Sequence, residues 1–103
     1  KVQHLRFYQL AFDFYLEAKA KSLPHYLKDQ LRRAALSIAL NISEGTGKSS
    51  MPDRCRFFEI AMGSIRECQA IAEIEAEVFT AAEKDLLDHL AASTYKLIRN
   101  SRR

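Results

Sequence analysis

"EGTGKSS", residues 44–50, can be read in two ways, and the two lead to different folds. Gly47, Lys48 and Ser49, with a second glycine just upstream, resemble the end of a nucleotide-binding phosphate loop. Such a loop needs Gly-x-x-x-x-Gly-Lys-Ser/Thr, because backbone N–H groups of an open glycine loop must wrap around the phosphates. Five positions before Gly47 stands Ile42, and Gly45 is too close to replace it. A phosphate loop also leaves a strand and enters a helix, whereas the residues before Gly45 read as a long helix. The stretch is a helix-to-helix turn, with Gly45 or Gly47 supplying the left-handed geometry that closes a helix.

Working backward, Leu27, Leu31, Ala34, Ala35, Ile38 and Ile42 recur at helical spacing and give the second helix its apolar face. "SLP" at 22–24 separates it from a first helix over about 3–21, with Pro24 placed to open the second. That first helix carries a wide apolar face: Leu5, Tyr8, Phe12 and Tyr15 beside Phe7, Ala11, Phe14 and Ala18. Working forward, "SMPD" starts a third helix, with Ser50 as N-cap, Pro52 in the first turn and Asp53 near a capping-box position. The pattern of Phe57, Phe58, Ala61, Ile65, Cys68 and Ala72 predicts that this helix runs from about 51 to 79 and is the longest. Thr80 and Glu83 form a capping box that begins a fourth helix, which presents Leu86, Leu87, Leu90, Thr94, Leu97 and Ile98. Short turns make successive helices antiparallel. The expected fold is all-α, an antiparallel up-down-up-down four-helix bundle spanning residues 1–103 as a single domain.

Composition agrees. With 103 residues there is room for one core, and only 3 Gly and 2 Pro leave few turns. No apolar run approaches the roughly 20 residues of a membrane span, so no membrane role is expected. The chain begins at Lys1 rather than methionine, as a fragment or trimmed chain would. Cys55 and Cys68, on one helix and about 20 Å apart, are too distant to bridge; they read as reduced thiols of a cytoplasmic protein.

Catalytic patterns are lacking. His4, His25 and His89 fall on separate elements or their ends, without metal-ligand spacing, so no metal is expected. A di-iron bundle needs Glu-x-x-His on two helices, but Lys1, Ser22 and Leu86 occupy the places three before each histidine. No local Ser–His or Cys–His pairing is visible. The chain reads as a non-enzyme without a cofactor.

Two polar features remain. Arg33, Ser37, Asn41 and Glu44 make a polar ridge along the second helix, with Ser64 and Glu67 near Gly63 on the third. Such groups fix register or subunit orientation, with Arg33 pairing to Glu67 or Glu44, or else they build a ligand site. Surplus apolar surface on the first two helices predicts a homo-oligomer. The net charge is +3. Lys48, Arg54 and Arg56 cluster at the turn, and Arg99, Arg102 and Arg103 form a basic end to the fourth helix. These six are the candidate contacts to RNA or DNA phosphates; the alternative is that terminal cations complement the helix dipole.

"LKDQLRRAALSIALNISEGTGKSS", residues 27–50, resembles a bacterial family of four-helix bundle proteins that includes those encoded in intervening sequences of 23S ribosomal RNA genes. Gln30, Leu31, Arg32, Arg33, Ala34, Ser37, Ile38, Asn41, Ile42, Glu44 and Gly45 match the family pattern. In "RFFEIAMGSIRE", Arg56, Phe57, Ala61, Gly63, Ser64 and Glu67 match its next helix. Ala39 departs from a common proline and Lys48 from a common arginine. The resemblance implies a small bundle assembled into a ring, typically a homopentamer, in a family largely without assigned function. It also implies kinship to the accessory variability determinant of diversity-generating retroelements, which binds nucleic acid and a reverse transcriptase. The expected function is a non-catalytic, oligomeric nucleic-acid-binding accessory protein, or, alternatively, a scaffold for protein partners.

Overall fold

In the computed structural model, which describes residues 2–102 and side chains from Arg6 to Arg102, four helices follow one another. They are α1 (Val2–Lys19), α2 (His25–Gly47), α3 (Met51–Ile74) and α4 (Ala81–Ser101), with a 3-10 turn at Ala76–Val78. α1 packs on α2 and α4, and α3 packs on α2 and α4, the arrangement of an antiparallel up-down-up-down bundle. The apolar stripes meet along its axis. Phe7, Ala11, Phe14 and Ala18 of α1 face Leu31, Ile38 and Ile42 of α2, Phe58 and Ile65 of α3, and Leu87 and Leu90 of α4.

The capping signals read from sequence act locally. Ser50 accepts from the Asp53 N–H at 3.2 Å, and Pro52 lies in the first turn, where a missing N–H costs nothing. The box at α4 is reciprocal: Thr80 Oγ1 accepts from the Glu83 N–H, and Glu83 Oε1 accepts from the Thr80 N–H at 2.8 Å. Pro24 occupies the N-cap of α2, and its carbonyl accepts from the Leu27 and Lys28 N–H groups.

The structure corrects two expectations. α3 stops at Ile74 rather than running to Phe79. Thr80 must be the N-cap of α4, and an antiparallel reversal needs several residues, so the turn is taken from the end of α3. Glu75 leaves helical geometry and the 3-10 turn brings Phe79 into the core. The glycines of the α2–α3 turn do not supply left-handed geometry either, since no described glycine has positive φ. α2 continues through Gly47 and ends where Lys48 becomes extended. Gly45 is required for a different reason. A Cβ there would lie 2.5 Å from Phe58 Cε1, so the buried ring of α3 packs directly on the backbone of α2.

At the other end of the bundle, Lys21 holds the two remaining turns together. Its ammonium pairs with Glu83 and donates to the Val78 carbonyl at 3.1 Å, above the Phe79 ring. Burial alone would raise the pKa of Glu83, but hydrogen bonds from Lys21 and the Thr80 N–H outweigh it and leave the group lowered. Glu17 is raised by its interaction with the Glu83 carboxylate and by that group's charge.

Two measurements check these contacts. Gly45→Ala overpacks the Phe58 ring and should lower stability by about 1–3 kcal/mol in denaturant unfolding. Gly63→Ala, in mid-helix with nothing within 4 Å of the added Cβ, should raise stability by about 0.5–1 kcal/mol. Because Glu83 is lowered in the folded state, its contribution is present above the ordinary carboxylate pKa and is lost as pH falls through the folded value. Glu83→Gln should therefore cost stability at neutral pH and flatten the acid limb of a stability–pH curve. Glu17→Gln should have the opposite sign at neutral pH.

Candidate nucleic-acid interface at one end of the bundle

The antiparallel topology gathers the start of α1, the finish of α2, the start of α3 and the finish of α4 at one end. Two basic segments distant in sequence therefore become neighbours. Among the described residues this half holds seven basic groups, Arg6, Lys48, Arg54, Arg56, Lys96, Arg99 and Arg102, against three acidic ones, Glu44, Asp53 and Glu59. The other half holds the remaining ten carboxylates, among them Glu73, Glu75, Glu77 and Asp85, against seven basic groups. The bundle thus has a basic pole of +4 and an acidic pole of −3. Arg103, also a candidate contact, lies outside the described residues.

The individual cations differ in what they are free to do. Arg54 donates to the Thr46 carbonyl at 3.1 Å and to the Lys48 carbonyl at 3.0 Å. It closes the exit of α2 in place of a left-handed glycine, satisfying carbonyls at the helix end. Both bonds come from Nη1, so Arg54 acts as a structural cap through that one nitrogen. Lys48 and Arg56 both lie over the Phe57 ring, at 5.1 and 4.5 Å from its centroid. Lys48 is 3.6 Å from Glu44, and Arg56 is 3.9 Å from Asp53. These are exposed pairs of small energy, easily exchanged for a stronger anion. Arg102 pairs with Glu59 across α3 and α4, and its proximity to Cys55 and Glu59 favours the charged guanidinium further. Arg99 is exposed and has no ion pair among the described residues. Between Arg56 and Arg102 opens a cleft of about 560 Å³, lined also by Met51, Pro52, Cys55 and Glu59.

Helix dipoles account for part of this distribution. Lys48, Arg99 and Arg102 stand at C-termini, where cations are favourable. Arg54 and Arg56 stand at the start of α3, where the dipole opposes them; the cap explains Arg54, and the ring with Asp53 holds Arg56.

The polar ridge of α2 borders α3 rather than entering the core. Ser37 Oγ accepts from Asn41 Nδ2 at 3.0 Å and from Ser64 Oγ at 2.8 Å, a bridge between the two helices. Arg33 does not pair with Glu67 or Glu44. It lies 3.3 Å from Asp29 one turn back, while Glu67 accepts from Gln30 and Glu44 takes Lys48. A long cation finds the nearest carboxylate on its own helix, and Asp29 is one turn away. Arg33, Ser37, Ser64 and Glu67 border an open cleft of about 440 Å³ between α2 and α3.

Nothing in the described residues groups three metal-ligating side chains. Burial, with Glu67 nearby, pushes the Cys68 thiol up to about 12, so it stays protonated inside the core. No helix is long and apolar enough to cross a membrane. The sequence reading passed over Tyr95, an exposed aromatic at the basic pole, and the clamp made by Lys21. Tyr95 was legible from its four- and seven-residue spacing to Arg99 and Arg102.

A family model described as 23S rRNA-intervening sequence protein matches residues 3–100, nearly the whole chain. The chain belongs to that family. No curated protein matches it.

Arg54→Met keeps the aliphatic stem and removes both donors. It should lower stability by about 1.5–3 kcal/mol, the range for hydrogen bonds from charged groups, and speed amide exchange in the last turn of α2. Arg99→Met, with no carbonyl to cap, should leave that exchange unchanged and cost no more than the roughly 0.3–1 kcal/mol of a cation at a helix C-terminus.

Proposed function

We propose that this member of the 23S rRNA-intervening sequence protein family is a non-catalytic, oligomeric accessory protein that holds RNA or DNA by its backbone phosphates at the basic pole. The segregation of charge carries this reading. A net charge of +3 spread evenly would attract a polyanion weakly, but +4 on one half, beside a depleted set of carboxylates, gives a localised field. Lys48, Arg56, Arg99 and Arg102 are the contacts, and Arg54 holds the turn that carries the first two. Glu44, Asp53 and Glu59 yield their partners as phosphates arrive.

Self-association supports the same reading. Phe12 and Leu16 of α1 and Leu40 of α2 remain exposed, Leu40 at 52%, on helices that pack side by side. Such a face is suited to another copy of the chain. The ring that the family resemblance implies, a homopentamer, would bring every basic pole to the same height about the symmetry axis. Several modest fields then act on one polyanion. A nucleic-acid enzyme such as a reverse transcriptase is the kind of partner an accessory of this sort would serve.

The exposed apolar face also favours the second reading, a scaffold for self-assembly and protein partners with solvated basic residues. Fluorescence anisotropy of labelled RNA and DNA at graded salt separates the two. Binding should weaken log-linearly with salt, with a slope of about −3 to −4 per subunit engaged if four phosphates are neutralised. Replacing Lys48, Arg56, Arg99 and Arg102 by Ala together should abolish it at physiological salt while the fold stays intact. Absence of binding even at low salt would leave the scaffold reading in possession.

A further inference from the structure

Resting on the phosphate-binding reading and extending it, the geometry points to a preference for single strands, with Tyr95 as the platform on which a base stacks. Phe12, Tyr26 and Tyr95 are the exposed aromatics among the described residues, and Tyr95, at 59% exposure, is the one in the basic half beside the candidate contacts. On α4 it shares a face with Arg99 and Arg102, four and seven residues on. Of the other aromatics at this pole, Phe7 and Phe58 are buried, Tyr8 stacks with Phe12, and Phe57 already has Lys48 and Arg56 over its ring. Neither a ring nor a cation stacks on Tyr95 among the described residues.

The surroundings give the strand a direction. Asp88, Tyr95 and Arg102 fall seven residues apart on α4; Asp88 bonds Gln69 of α3 at 3.0 Å, and Arg102 pairs with Glu59 of α3. Tyr95 therefore borders the α3–α4 groove midway between an acidic and a basic crossing. A strand whose base lies on Tyr95 has its phosphates drawn toward Arg99, Arg102 and the cleft beside Arg56, and repelled from Asp88. Single-strand sites combine a cationic track with an unoccupied aromatic face in this way, whereas a duplex keeps its bases stacked on one another and offers Tyr95 nothing. Tyr26 stands in the other half of the bundle, where ten carboxylates outnumber seven basic groups.

The test compares a labelled oligonucleotide as single strand and as duplex, by anisotropy at fixed low salt, for wild type, Tyr95→Ala and Tyr95→Phe. Circular dichroism checks each fold. Wild type should prefer the single strand, Tyr95→Ala should weaken that binding about tenfold without altering duplex affinity, and Tyr95→Phe should restore it. In Tyr95→Trp, indole fluorescence should be quenched by the single strand alone. Equal affinity for both forms, or a Tyr95→Ala protein that binds single strands as wild type does, overturns the stacking role and leaves phosphate binding standing. If wild type binds neither form, the underlying phosphate-binding reading falls as well.

Discussion

The contact between Gly45 and Phe58 sets the geometry on which the basic pole depends. A buried aromatic ring lies against helix backbone where any other residue would place a Cβ. That contact pulls the finish of α2 onto the start of α3, leaving a turn of only Lys48, Ser49 and Ser50 between them. With so short a turn, Lys48 and Arg56 come to the same ring, and Arg54 reaches back to the open carbonyls of Thr46 and Lys48. Core packing and surface charge are thus one construction at this end.

The opposite end is organised by a different force. There Lys21, from the α1–α2 connection, meets the capping-box glutamate of α4 and a carbonyl of the 3-10 turn. Glu83 serves both as helix cap and as ion-pair partner, so one side chain marks the start of α4 and ties it to the α1–α2 connection. Its low exposure makes the pairing matter: a buried carboxylate without Lys21 would face its desolvation unaided. Glu17 beside it shows the tension that this many acidic groups create, and Lys21 relieves it where the chain must turn twice.

What the sequence made legible was local. Helical stripes, the Thr80–Glu83 box and the Ser50 cap depend on neighbours within a turn or two, and the family pattern lies in those same helices. Partners chosen across the fold were not legible. Arg54 and Arg56 look equivalent in sequence, yet one caps a helix and the other lies on a ring, because only the former points at open carbonyls. Gly45 announces itself as a turn former, and only the position of Phe58 shows that it is a close-approach glycine. Arg33 could reach several carboxylates, and proximity along its own helix decided for Asp29. The end of α3 escaped because Glu75 and Ala76 are good helix formers; the reversal before Thr80 overrides their propensity.

The charge itself shows why composition misleads. A chain with 16 basic and 13 acidic residues looks nearly balanced, and only the acidic run from Glu67 to Glu83 and the basic end from Lys96 onward stand out along the sequence. Folding back three times sorts them, since each pole collects a segment from every helix. Electrostatic steering depends on that sorted field rather than on the total, and the acidic pole adds to it by repelling a polyanion from the other end. The polarity also restricts self-assembly. Copies stacked basic pole to acidic pole would cancel the field, while copies joined side by side through α1 and α2 preserve it. Phe12, Leu16, Leu36 and Leu40 are exposed on α1 and α2, where association and an open basic pole are compatible, although Met51, Ile60 and Ile74 leave α3 apolar surface too.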